Sequence, residues 1–255
     1  MKTRQLIKEL YRRYPLNIAE ANEDYVGLMV GKLPLDVHKI LLCLDMDETI
    51  FSDVLEFRPD LIITHHPFIY GEKKEVFAEN PHKEDLYRLL KNHNFPVFSI
   101  HTNFDGGTPG MNDTLAKMLG LKGIYTPEKE LCMRIGTLDR EMKINDFVKY
   151  AKDRLGASYG LLIDKGKKKI KKVAIIGGGG ARFYKIAMEE GADIYISGDM
   201  SHHVRRDIII DRYNYLDLPH EIERVFMPTI ANEIKKIDGS IELKIVDHEK
   251  EAKLV

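Results

Sequence analysis

Three short apolar runs, each closing on a polar or ionisable residue, constrain this chain more than any other feature. His38 to Leu44 is nearly continuous in apolar residues and ends at Asp45. Leu61–Thr64 ends at His65-His66-Pro67, and Pro96–Ile100 ends at His101. Apolar runs of this length without alternation mark strands covered on both faces. Between them lie stretches of helical period: Glu48 to Phe57, with Ile50, Phe51, Val54, Leu55 and Phe57, and Lys83 to Asn92. Strand–helix–strand alternation predicts an α/β fold with a mostly parallel sheet. An N-terminal helix is expected over 3–13, with Leu6, Ile7, Leu10 and Tyr11 on one stripe.

A helix at Asn112 to Leu119 follows, with Asn112 or its neighbour as N-cap. The second half repeats the alternation with different residues: a strand at Met133 to Thr137, a helix at Lys143 to Leu155, and strands at Leu161–Ile163 and Val173–Ile176. Four glycines, Gly177 to Gly180, lead into a helix at Arg182 to Glu190, and a strand at Asp193–Ser197 ends at Gly198-Asp199. A helical turn at Glu221–Phe226, a helix through Ile230–Lys236 and a strand at Ile241–Val246 close the chain. The expected organisation is two α/β subdomains, 1–130 with part of the C-terminal segment and 131–255. No linker rich in Pro, Gly or Ser separates them.

A chain of 255 residues buries a full core, and 44% hydrophobic with 31% charged residues is a soluble balance. A net charge of −1 supplies no long-range attraction to nucleic acid or membrane. No apolar run approaches the roughly 20 residues that span a bilayer, and the charged start, Met1 to Pro15, has no apolar signal core. The expectation is a cytoplasmic protein without a membrane partner. Cys43 and Cys132 are far apart in apolar settings, which reads as two buried free thiols. The basic stretch Lys165 to Lys172 reads as a solvated turn. A nucleic-acid patch is the alternative, but interleaved aromatics are missing.

The strand ends carry the chemistry. Adjacent strand residues face opposite ways, so His65 and His66 reach one site only if the strand stops and the chain bends, which Pro67 promotes. His101 and Asp105 follow the next strand, with Gly106-Gly107 after them. His220 and Glu223, at i and i+3, share a face of a helix. Four imidazoles and two carboxylates exceed the needs of one tetrahedral ion and suit two. The glycine run reads equally as tight strand–helix packing or as an anion cradle without the Lys-Ser/Thr of a P-loop. Asp199 and His203 are candidates to orient a ligand imidazole or to transfer protons. There is no G-x-S-x-G elbow and no Cys with a nearby His, which argues against covalent nucleophilic catalysis.

Taken in order, Ile62-Ile63-Thr64-His65-His66-Pro67, His101-Thr102-Asn103-Phe104-Asp105, Gly110-Met111-Asn112-Asp113, Ser197-Gly198-Asp199 and His220-x-x-Glu223 resemble the Nif3-like family, often labelled GTP cyclohydrolase I type 2 homologues. Tyr25-Val26-Gly27-Leu28-Met29-Val30-Gly31 resembles its N-terminal signature. The resemblance covers nearly the whole chain and matches the short family form. It implies one Nif3-like domain over 1–255, made of two similar α/β subdomains with mostly parallel mixed sheets and a dinuclear metal site between them. It also implies a ring-shaped homohexamer. The implied ligands are His65, His66, His101, Asp105, His220 and Glu223, with Glu223 bridging. Pro219 stands where a Gly usually precedes the ligand His, and His203 falls where the family often has a His after Gly-Asp.

The expected function is a metal-dependent hydrolase with two divalent ions (Zn, Fe, Mn, Co or Ni), acting on a nucleotide-like small molecule through water activated by the metals. Glu223 and His203 are the expected proton-transfer residues. The alternative is a non-catalytic metal-handling or regulatory ring that delivers metal or binds a partner.

Overall fold

The structure is a computed structural model that describes residues 1–253 and 255. From the N-terminus, α1 (Thr3–Arg13) and α2 (Leu16–Ala21) precede β1 (Gly27–Val30) and β2 (Lys39–Cys43). Then come α3 (Phe51–Phe57), β3 (Leu61–Thr64), α4 (Lys73–Glu79), α5 (Pro81–Asn92), β4 (Val97–Ser99) and α6 (Thr102–Asp105). The middle of the chain holds α7 (Met111–Met118), β5 (Lys122–Tyr125), β6 (Arg134–Lys143), α8 (Ile144–Leu155), β7 (Leu161–Asp164) and β8 (Lys169–Ile175). It continues with α9 (Tyr184–Glu189), β9 (Ile194–Ser197), α10 (His202–Ile210) and β10 (Asn214–Asp217). After a 3-10 turn at His220–Val225, α11 (Phe226–Ile237) and β11 (Glu242–Ile245) complete it.

The chain forms two compact units, Met1–Thr108 with Phe226–Glu249 and Pro109–Val225 with Lys250–Val255. Helix α11 and strand β11 return to the first unit. The change of unit comes at 108/109, upstream of the composition shift near 130, because α7 packs on β5, β6 and β8 of the second unit.

In the first unit the strand order is β1-β4-β3-β2-β11. β11, β2, β3 and β4 are parallel, and only β1 is antiparallel, to β4. Every residue of β3 is buried, and four of the five in β2 are, as the continuous apolar runs require. Leu41, Ile62, Val97, Val54, Leu86 and Leu90 join one core that fixes the sheet under α3 and α5. The register Cys43↔Thr64 and Thr64↔Ser99 aligns the carboxyl ends of β2, β3 and β4, so the polar residues after each strand emerge side by side.

The second unit has the order β5-β6-β8-β9-β10-β7. β8, β9 and β10 run parallel, while β5, β6 and β7 add antiparallel pairings. Val173, Ala174, Ile175, Ile194, Tyr195 and Ile196 are fully buried in its centre. Strand β6 is twice as long as the apolar pattern suggests, because its exposed end pairs with Lys169 and Ile170. Both cysteines are free and buried, as expected. Among the described residues no helix is long and apolar enough to cross a membrane.

Candidate metal centre

The bend after β3 is built from backbone hydrogen bonds. The His65 and His66 N–H groups both reach Leu44 O, at 3.1 and 3.0 Å, and the Thr64 hydroxyl donates to His66 O at 2.8 Å. The ladder therefore stops at the histidines, and their rings come to the same side, 4.9 Å apart. His101 precedes the single helical turn α6, and its N–H is taken by the Asn103 side chain at 3.1 Å. Its ring lies 5.0 Å from His65 and 5.7 Å from His66. Donor nitrogens of the three histidines lie within 4.8 Å of one another. Nitrogens sharing one ion stand at most about 4.2 Å apart, so shifts well under an ångström bring the three onto a common cation. Asp105, at the end of α6, places Oδ1 3.5 Å from His65 Nε2.

In the second unit the 3-10 turn carries His220 and Glu223. At three residues per turn, i and i+3 eclipse, so the spacing read from the sequence aligns them even better than an α-helix does. His220 Nε2 is 3.0 Å from Glu223 Oε2, and the Glu223 side chain is 4% exposed, too little for water to carry its charge.

The decisive pattern concerns the other imidazole nitrogen. His65 Nδ1–H donates to Ile100 O at 3.0 Å, His66 Nδ1–H to Asp45 at 2.6 Å, His101 Nδ1–H to Asp24 at 2.8 Å, and His220 Nδ1–H to Asp199 at 2.6 Å. Carbonyls and carboxylates only accept, so Nδ1 carries the proton in all four rings. In the neutral ring this places the lone pair on Nε2, the nitrogen that can ligate a metal. At His65–Asp105 and His220–Glu223 that lone pair faces a carboxylate oxygen. Two acceptors facing each other are reconciled by a cation between them, a proton on Nε2 or a metal ion, and the donor set of imidazoles and carboxylates fits a metal.

Asp24 receives more than His101. It also accepts from Thr102 N at 3.2 Å and Thr102 Oγ1 at 2.7 Å. Burial pushes its carboxyl pKa up, but the hydrogen bonds from His101 and Thr102 outweigh that and leave it below the usual carboxylate range. Asp24 and Asp45 were not singled out in the sequence. Asp45 follows only once β2 and β3 are paired: extending Cys43↔Thr64 by two residues sets it opposite His66. Asp24 lies in a loop remote in sequence from His101, and nothing local marks it.

The glycine run proves to be shaped by these side chains. A Cβ on Gly178, which sits at φ +64°, would lie 2.2 Å from Glu223 Oε1 and 3.1 Å from His220 Nε2. On Gly180 it would meet Ile176, Ser197 and Tyr195, each at 2.8 Å. Gly177 N–H goes to Asn112 Oδ1 at 2.7 Å, and Gly180 N–H to Ser197 Oγ at 2.8 Å. Close packing thus accounts for the run. Asn112 is not the N-cap of α7, a place taken by Gly110, and instead braces the glycine turn. Asp113 is buried against Arg134. His203 is exposed on the first turn of α10, with its ring 5.8 Å from His202. In the basic stretch Lys167 pairs with Asp193, Lys168 with Asp164 and Lys169 with Glu141, as a solvated turn and strand edge would.

Residues 1–252 match the family described as Duf34/NIF3 (NGG1p interacting factor 3). The chain belongs to the NIF3 family. A Clostridium perfringens protein called GTP cyclohydrolase 1 type 2 homolog is 31% identical over 99% of this chain and 98% of its own length. A Streptococcus pneumoniae protein of the same description is 33% identical over 82% and 81%. A Staphylococcus aureus crystal structure matches this NIF3-family fold with a TM-score of 0.86 at 25% identity, covering 100% of this chain and 99% of that one.

Proposed function

We propose that this NIF3-family chain binds two divalent metal ions through His65, His66, His101, Asp105, His220 and Glu223, and acts as a metal-dependent hydrolase on a nucleotide-like small molecule. The observation that carries the reading is the set of four imidazoles whose Nδ1–H groups are each tied to an oxygen. That arrangement engages three carboxylates, Asp24, Asp45 and Asp199, and one backbone carbonyl, and it fixes the tautomer a metal needs. Bound divalent ions supply Lewis acidity and lower the pKa of water from about 15.7 toward 7.

The protein's own residues do the rest. Asp24, Asp45, Asp199 and Ile100 O hold the rings in the ligating form. Gly178 leaves room for Glu223, whose buried carboxylate would hold a metal ion or take a proton. His203 is assigned to proton transfer with solvent. One observation favours a second reading, metal handling without catalysis: among the described residues the ring contact of His203 is with His202, and no hydrogen bond or ion pair orients it, whereas a proton-transfer group is ordinarily oriented by such a partner. Assembly into a ring of six copies belongs to the same proposal and is read by sedimentation velocity.

The test is elemental analysis of protein purified without a metal-affinity tag. About two ions per wild-type chain are expected, with fewer in Asp105→Ala. Wild type that carries no metal, and takes up none of added Zn, Fe or Mn, overturns the proposal. His203→Ala then separates the two readings: an enzyme loses turnover with its metal still bound, and a metal carrier is unchanged.

A further inference from the structure

In the first unit two tyrosines stand exposed beside His101. The Tyr70 ring, 58% exposed, lies perpendicular to the His101 imidazole at 6.5 Å between centroids. Tyr25, 39% exposed, meets Tyr70 edge to face at 5.3 Å. Both are held by the segments that build the histidine cluster. Tyr25 follows Asp24 directly and donates its N–H to Asp24 Oδ1 at 2.8 Å, while Asp24 Oδ2 holds His101. Tyr70 lies four residues past His66 in the same bend. Neither phenol oxygen hydrogen-bonds to protein among the described residues. The remaining exposed tyrosine, Tyr125, is different: its hydroxyl is spent on Glu190 at 2.8 Å, and Lys172 covers its ring.

We propose that Tyr25 and Tyr70 form a platform that binds a planar heteroaromatic ring of the ligand, of the nucleobase kind, next to His101. This rests on the metal-dependent reading above and names the chemical class that its site accepts. Exposed aromatic faces offer stacking to any flat ring, and the two free hydroxyls can meet the nitrogen and oxygen edge groups that a heterocycle carries and a hydrocarbon lacks. The bend that presents His66 and Tyr70 together would then deliver the ring and the rest of the ligand to one place.

The experiment uses the full chain loaded with Zn or Mn. Calorimetric titration compares the four ribonucleoside monophosphates with ribose 5-phosphate, which has the same sugar and phosphate without the ring. At least one nucleotide is expected to bind about 10-fold or more tightly than ribose 5-phosphate, the range one stacked base supplies. Tyr70→Ala is expected to remove most of that preference, and Tyr70→Phe to keep the larger part of it. Both positions are exposed, so melting curves should be near wild type. If no nucleotide exceeds ribose 5-phosphate, or if the preference survives in the Tyr25→Ala/Tyr70→Ala double variant, the proposal is wrong. A changed sedimentation coefficient in Tyr70→Ala, with no ring preference in wild type, assigns the pair to self-association and overturns it as well. Metal content measured on the same samples keeps the outcomes apart. Metal-bearing protein without ring preference refutes this platform alone, and ring preference in protein that takes up no metal refutes the metal reading alone.

Discussion

Gly178→Ala asks whether the glycine run exists to make room for Glu223. The residue sits at φ +64°, where an L side chain costs about 1–2 kcal/mol. Its backbone cannot retreat, because the Gly178 carbonyl accepts from Gly198 N at 2.7 Å, Gly180 N at 2.9 Å and Ser197 Oγ at 2.9 Å. The new methyl would lie 2.2 Å from Glu223 Oε1 and 2.9 Å from its Cδ, so the buried carboxylate must move by about an ångström, an overpacking cost of roughly 1–3 kcal/mol. The sum is about 2–5 kcal/mol. Gly156→Ala is the internal control: it shares the left-handed backbone at φ +70°, but nothing lies within 4 Å of its added methyl. Urea unfolding should show Gly178→Ala losing roughly 1–3 kcal/mol more than Gly156→Ala, and metal content should fall in the first variant only. Adding Glu223→Ala to Gly178→Ala should recover much of the steric part as a coupling of about 1–3 kcal/mol. Equal losses in the two glycine variants, with unchanged metal content, would refute the argument from space.

Two further outcomes follow from the carboxylates. Asp193 is buried and accepts from Lys171 N, Lys172 N and Lys167 Nζ. Burial raises its pKa, but these bonds outweigh that and hold it below the ordinary value of about 3.9. The ionised form therefore stabilises the fold above about pH 4, and that contribution disappears as the pH falls through the lower folded-state value. Asp193→Asn should cost about 1.5–3 kcal/mol at pH 7, most of it from the two backbone N–H bonds because Lys167 is exposed. The gap from wild type should narrow below about pH 4 in urea titrations, and a gap independent of pH would contradict the assignment. Asp24→Ala frees the His101 ring and should weaken metal affinity by about 10- to 100-fold in chelator competition, with the fold intact by circular dichroism; wild-type affinity in that variant would show that Asp24 does not orient the ligand.

Much of the first unit was legible because its strands are covered on both faces, so β2, β3 and β4 appear as uninterrupted apolar runs. The histidines after them needed only the rule that ligands gather at carboxyl ends of parallel strands. Strands β1, β5 and β10 and helices α2, α4, α6 and α10 are not announced by the sequence pattern. All are short; β1 and β5 lie at sheet edges, α4 buries no residue and α10 buries only Ile208. Elements of four to nine residues are too brief to establish a period. The glycine run was ambiguous for another reason: a glycine that admits an anion and one that admits a neighbouring side chain are identical until the neighbour is placed.

By itself the sequence determined which residue types stand where strands end, and therefore the α/β class and a donor set of four imidazoles and two carboxylates. Only the tertiary structure decided which oxygen holds each ring. His101 depends on Asp24 across 77 positions of chain, and His66 on Asp45 across 21. His220 likewise depends on Asp199 across 21 positions. Such partners are chosen by the packing of strands and loops distant in sequence, and no local pattern of residues encodes them. The proton on Nδ1, and with it the lone pair on Nε2 that makes these histidines ligands, is in that sense a property of the fold.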